Sequence, residues 1–385
     1  MTLFDFPRGN ALPKVIPERI REAREGRGFT LETFAEALGR SRQAVAQFEN
    51  GQNGPAADTL ARIISITRQP PTFFTSPRRR KAESASTPFW RSLKRMDHAA
   101  RTRITRRLEW ASDAVDYIES YIQLPVVGIP NLQWDYERGS AEDIEDIALR
   151  LRADWSLGYG PIHDIAALLE HHGVILIKEA VACPDMDAVS RWQMGRPYIL
   201  FSADIDGEPR TIYNLVHELG HLLLHSGLDV TSENLARLEK QANRFAGAFL
   251  LPRRTFPSEV LSTSLSYFKE LKKRWHVSIA AMIYRCKDLG ILNTNQVEYL
   301  WRQMASTGFR HKEPLDDAFE QSEPALLRAS LQMLITHGVQ TKADVEQAIN
   351  LNSEDIESLC GTEPGWLSAE KVVPFKPRII GRNNE

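Results

Sequence analysis

Apolar positions recur at helical spacing over most of this chain and follow strand spacing in one short window only. Between Pro17 and Arg68 the pattern predicts four short helices. Ile20 and Ala23 open the first, and Gly28 ends it. Thr30 caps the second, with Leu31, Phe34, Ala35 and Leu38 as its inward face and Gly39 as its stop. Ser41 caps the third, with Ala44, Val45 and Phe48 inward and Gly51 closing it. Leu60, Ile63, Ile64 and Ile66 build the fourth. Pro70, Pro71 and Pro77 then break the pattern, and Arg78 to Thr87 reads as a polar, basic linker. Phe89 to Gln123 predicts a long helix or helix pair that ends before Leu124-Pro125.

From about Ser140 the texture changes. Helices are expected over Ile144 to Trp155 and Ile162 to His172, followed by a strand from Gly173 to Lys178. Ala188 to Gln193 and Pro197 to Ser202 predict two more strands. Helices follow near Thr211–His225 and Ser232–Leu251, and a helical portion runs on to about Cys360. The fold class is therefore mainly α with a small β-sheet, an α+β chain. Its expected parts are an all-α domain at 11–72, a basic linker and helical connector at 73–139, a domain with the sheet at 140–290, and a helical region at 291–385 with no assigned chemistry. No repeat of fixed period is present.

Composition is that of a soluble globular protein, with 42% hydrophobic and 25% charged residues in 385. No run approaches the ~18 apolar residues of a membrane span, and no secretory signal is read at the start of the chain. Cys183, Cys286 and Cys360 lie far apart, which fits buried thiols in a reducing cytoplasm. The net charge of −2 hides an asymmetry: residues 1–110 carry 21 Lys+Arg against 11 Asp+Glu. Most of that excess sits in residues 71–110, with 11 basic and 3 acidic side chains. A polyanionic partner for this third and a merely solvated basic face both fit the charge.

Two motifs carry chemistry. The first is His217-Glu218-Leu219-Gly220-His221 inside a strongly helical run. On a helix, positions four apart share a face, so both imidazoles can reach one tetrahedral Zn²⁺. Glu218, beside the first ligand, can take a proton from the attacking water and pass it to a leaving amine. A third ligand is needed. Glu239 shares a helical face with Ala242, Asn243 and Ala246, and the alanines permit a close approach to the first helix. Glu239 then completes a His₂Glu site with an open position, with Glu233 as the alternative ligand. Asn243 is expected to hold a ligand imidazole by its second nitrogen. His225 reads as structural or as facing substrate. Arg210 and Tyr213 are candidates for binding an oxyanion or a substrate carbonyl, and packing or surface charge accounts for them equally. An edge strand next to such a site can pair with an extended peptide.

The segment with Arg210, His217-Glu-Leu-Gly-His221, Glu239-x-x-Ala-Asn243-x-Phe-Ala and Leu250-Leu-Pro252 resembles the ImmA/IrrE family of zinc metallopeptidases over roughly residues 140–290. Asp187-Ala-Val-Ser190 and Leu271-Lys-Lys-Arg-Trp-His-Val-Ser278 are similar to that family's flanking stretches. The resemblance implies a zincin-like domain that binds Zn²⁺ through His217, His221 and Glu239, with Glu218 as general base. It implies cleavage of specific DNA-binding repressors, often those that control mobile elements or stress genes.

The second motif is Thr30 to Gly39 followed by Arg40 to Gly51, which has helix-turn-helix spacing. Arg42, Gln43 and Gln47 stay outward at the start of the second helix, where such side chains read base edges, and Ser41 can meet a phosphate. A plain helical hairpin with a polar face has the same pattern. Pro17–Arg68 is similar to the XRE-type helix-turn-helix domain of phage repressors, notably in Ser41-Arg-Gln-Ala-Val-Ala-Gln-Phe-Glu-Asn-Gly51. That resemblance implies a homodimer on a palindromic double-stranded operator. Leu31 departs from it where a polar phosphate contact is common. The basic stretch Arg78–Arg107 is a candidate for compensating by nonspecific phosphate contact.

Together these expectations describe a cytoplasmic DNA-binding transcriptional regulator that carries a zinc metalloendopeptidase and cleaves a repressor or antitoxin. The alternative is a transcription factor whose peptidase fold is only a sensor or dimerisation body. Self-cleavage between Arg78 and Ser86 is a further alternative.

Overall fold

The computed structural model describes residues 14–79, 97–180, 186–204, 207–310 and 312–368. Cys183, most of the Arg78–Thr87 linker and the Lys376–Glu385 tail lie outside the described residues. The N-terminal part is a bundle of α1 (Pro17–Gly26), α2 (Leu31–Leu38), α3 (Arg42–Glu49) and α4 (Ala57–Thr67). Its boundaries follow from its caps. Thr30 accepts from the Thr33 amide while the Thr33 hydroxyl accepts from the Thr30 amide. Gly39, at φ 64°, ends α2 in the left-handed region, and Ser41 starts α3 by accepting from the Ala44 amide. Phe34, Leu38, Val45 and Ile63 fill the interior. Buried Glu49 takes Arg24 of α1 on both carboxylate oxygens, which fixes α3 against α1.

The helix α5 (His98–Glu119) is not the exposed connector its basic start suggests. Leu108, Trp110, Ala111, Ala114 and Ile118 are fully buried, because α5 runs between the bundle and the sheet. Gly26 makes room for it: a Cβ there would lie 2.2 Å from the Trp110 ring. The arginines of this region are engaged within the molecule. Arg78 pairs with Glu109 and Asp113, and Arg106 with Glu25 and Glu109. Arg107 pairs with Glu179 and Asp355, so these three members of the basic stretch Arg78–Arg107 are engaged with the molecule's own carboxylates, and residues 80–96 lie outside the described residues.

The sheet has three strands in the order β1 (Ile175–Glu179), β3 (Arg196–Ser202), β2 (Ala188–Gln193). β1 runs parallel to β3, with Ile175 opposite Tyr198, and β2 runs antiparallel to β3, with Ser190 opposite Ile199. The β2–β3 turn has Met194 and Gly195 both at positive φ, as a tight two-residue hairpin requires. Both faces are covered, which is why Ile175–Ile177 of β1 and Tyr198–Phe201 of β3 read as continuous apolar runs. Ile175, Ile177, Val189, Tyr198 and Leu200 face α5 and the bundle. Leu176, Ala188, Ile199 and Phe201 face a second core.

That second core is built by α6 (Ala141–Asp154), α7 (Ile165–His171), α8 (Glu208–Leu224), α9 (Leu235–Leu250), α10 (Phe256–Glu259), α11 (Leu265–Trp275), α12 (Ile279–Asp288) and α13 (Thr294–Ser306). The C-terminal stretch therefore divides. While α13 joins this core, α14 (Leu326–Thr336), α15 (Lys342–Ile349) and α16 (Ser353–Cys360) pack with α5 and the bundle on the other side. Asp355 of α16 accepts from Arg27 and Gln69 of the bundle and from Arg107 of α5. Among the described residues no helix is long and apolar enough to cross a membrane.

Candidate metal centre

Both motif histidines lie on α8, which is buried for nearly its whole length. Gly220 faces α9 at the crossing: a Cβ there would sit 3.3 Å from the Cα of Ala242 and 3.1 Å from the Phe245 ring. This close approach, which depends on a glycine against an alanine, carries Glu239 over the two imidazoles. His217 Nε2 lies 3.1 Å from His221 Nε2. Glu239 places Oε1 at 3.2 Å from His221 Nε2 and Oε2 at 3.4 Å from His217 Nε2. A tetrahedral ion with ligands at about 2.0–2.1 Å has ligand-to-ligand edges of about 3.3 Å. The three donors, all within 4.8 Å of one another, match that figure, and two imidazoles with one carboxylate form a zinc donor set. Burial opposes the charge on Glu239, yet hydrogen bonds and charge from His217 and His221 hold its carboxyl well below the usual carboxylate range. Glu233 is exposed before the start of α9 and is not part of the cluster.

Glu218 points toward the sheet and is 2% exposed. Its Oε2 accepts a hydrogen bond of 2.6 Å from Ser190 of β2. Strand alternation sets this up, because Ser190 shares the face of Ala188 that packs on α8. Asn243 does not hold an imidazole by the bonds it makes. Its Nδ2 donates to the Glu239 carbonyl at 2.8 Å, and its Oδ1 accepts from the Tyr213 hydroxyl at 3.2 Å. The short amide spends its N–H on its own helix and its oxygen on Tyr213 of α8, one turn before the ligand His217. His225 is the residue beside a ligand ring: fully buried, it brings Nδ1 to 3.0 Å from His221 Nδ1. Burial and the neighbouring His221 push its imidazole down to about 3, so it is neutral. The sequence signal was present, since His225 follows His221 at the same four-residue spacing that separates the two ligands.

Tyr213, one turn before His217, and Asn243, one turn after Glu239, line a cavity of about 1230 Å³ beside the cluster. Arg210 lies on the same wall, ion-paired to Asp187 at 2.8 Å. Tyr284 and Trp301 line the same cavity, and Trp301 comes from the helical region to which the sequence assigned no chemistry.

In the bundle, Ser41, Arg42 and Gln43 are exposed at the start of α3 and Gln47 is half-buried. Arg42 pairs with Glu32 at 2.8 Å, and Gln47 accepts from Asn53. The Ser41 hydroxyl is engaged as the cap of α3.

Residues 169–287, which contain the cluster, match the family model of the IrrE N-terminal-like domain, a peptidase family. Residues 20–74 match the helix-turn-helix family model. Among curated proteins nothing matches this chain. The chain thus carries a helix-turn-helix domain joined to an IrrE N-terminal-like domain, the architecture of a DNA-binding regulator with a peptidase-like domain.

Proposed function

We propose that this protein is a transcriptional regulator with a working zinc metalloendopeptidase, and that it cleaves one specific regulatory protein, a helix-turn-helix repressor or an antitoxin. The observation that carries the reading is the convergence of His217, His221 and Glu239 to tetrahedral-edge distances. A zinc ion held by them supplies Lewis acidity, polarising the scissile carbonyl and making water a stronger acid. Glu218 takes the proton from the attacking water and returns it to the leaving amine, while Ser190 holds its carboxylate in place. Strand β2, at the edge of the sheet and against α8, gives an extended substrate a backbone to pair with. Arg210 and Tyr213, on the wall of the adjoining cavity, bind substrate beside the scissile bond. Ser41, Arg42, Gln43 and Gln47 face the operator, which a cytoplasmic homodimer reads as a palindrome.

The test is co-expression with repressors encoded beside its gene. Wild type yields fragments of one of them, and Glu218→Gln retains zinc but yields none. If Glu218→Gln restores every cellular effect of the wild type, the peptidase fold serves as a sensor or dimerisation body instead. A shortened form of the protein itself that depends on Glu218 would place the cut within the chain.

A further inference from the structure

We propose that His225 and Gln241 are positioning residues that fix the tautomer of His221 and so aim the lone pair of its Nε2 at the ion. The inference rests on the metal reading above and concerns residues to which no role is assigned. It follows from hydrogen-bond polarity alone. His221 turns Nε2 toward the cluster, at 3.1 Å from His217 and 3.2 Å from Glu239. A ligand imidazole is neutral, so its one proton must sit on Nδ1. That nitrogen lies 3.0 Å from Nδ1 of His225. Two facing ring nitrogens share a single proton, so His225 must accept there and carry its own proton on Nε2.

His225 Nε2 lies 2.9 Å from Gln241 Oε1. The orientation of that amide is in turn set from outside, because Gln241 Nε2 donates to the backbone carbonyl of Tyr136 at 2.9 Å. A carbonyl only accepts, so the amide cannot turn over without opposing two acceptors and two donors. The Trp134 indole N–H points at the same Gln241 oxygen, at 3.4 Å. The chain of polarity therefore starts at a group that cannot reverse and passes through Gln241 and His225 to the lone pair of His221.

Burial makes the arrangement strict. His225 is 0% exposed, His221 2% and Gln241 7%, so a reversed proton would leave buried donors opposed without water to relieve them. With the proton of His225 on Nδ1, the only relief is to move the proton of His221 to Nε2, which removes the ligand.

The test is a Zn²⁺ competition titration of the full-length protein against a chromophoric chelator, paired with nitrogen-15 NMR of the histidine rings in the zinc-loaded protein. Partners of this kind contribute about 10–100-fold to metal affinity. His225→Ala should weaken Zn²⁺ binding by that factor. His225→Asn, whose Oδ1 replaces the Nδ1 acceptor, should recover most of it, which a loss of packing would not do. Gln241→Leu should keep the fold yet show His225 in both tautomers. The NMR spectrum of the wild type should place the proton of His221 on Nδ1 and that of His225 on Nε2, and this measurement decides the matter if His225→Ala does not fold. A His225 proton on Nδ1, or His225→Ala binding Zn²⁺ as tightly as wild type, overturns the proposal and leaves the metal site standing. Wild type that takes up no Zn²⁺ overturns both.

Discussion

Arg107 offers the sharpest test of how the molecule is held together. It sits on α5, is 6% exposed, and its guanidinium spans two carboxylates. One is Glu179 at the end of β1, reached by Nε at 2.9 Å and also by a terminal nitrogen. The other is Asp355 of α16, which also receives Arg27 and Gln69 from the N-terminal bundle. In Arg107→Met the stem volume is kept and the charge removed. Asp355 still has Arg27, so the damage falls on Glu179, which is 7% exposed and keeps the Ser358 hydroxyl and the nearby charge of Arg103. Breaking a buried pair from one side typically costs about 3–5 kcal/mol. At roughly 2 °C per kcal/mol for a chain of this length, Tm should fall by about 6–10 °C. Scanning calorimetry of the full chain measures the shift. The double variant Arg107→Met/Glu179→Leu should recover most of the loss, since an apolar pair of similar volume is often neutral. A single variant melting within about 2 °C of wild type, or a double variant as unstable as the single, refutes the reasoning.

Three further outcomes are expected. Ala242→Leu adds three carbons where a Gly220 Cβ would already lie 3.3 Å from the Ala242 Cα. The overpacking costs about 1–3 kcal/mol, and because it moves α9 off α8 it should also deplete bound metal, measured by elemental analysis. Chelation should lower the wild-type Tm, since a ligand at 100 times its Kd stabilises by about 2.7 kcal/mol, while His217→Ala should melt identically with and without chelator. Glu32→Gln releases Arg42 from an exposed ion pair and removes a negative charge beside α3. A promoter fragment from upstream of the gene should then bind more tightly, by about 0.2–1 kcal/mol in a fluorescence anisotropy titration.

What could be read from the sequence and what could not divide along a physical line. Caps, stops and ligand spacing are local: Thr30, Gly39 and Ser41 bound their helices by contacts a few residues away, and two histidines four apart share a face wherever the helix lies. Glu239 was legible for a related reason, since its row of alanines announces a close crossing before the partner is known. The role of α5 was not legible, because the residues that neutralise it are remote in sequence. Arg107 finds Asp355 248 positions away, and a row of arginines looks the same whether it faces phosphate or buried carboxylate. The supports of the metal cluster failed to show for another reason. Spacing says which residues share a face but not which ring nitrogen meets which partner. Asn243 and His225 both sit one turn from a ligand, and only the polarity of Gln241, fixed by the Tyr136 carbonyl, singles out His225. A side chain's place on a helix is thus set by the backbone, whereas its protonation pattern is set by the last group in its hydrogen-bond chain that cannot reverse.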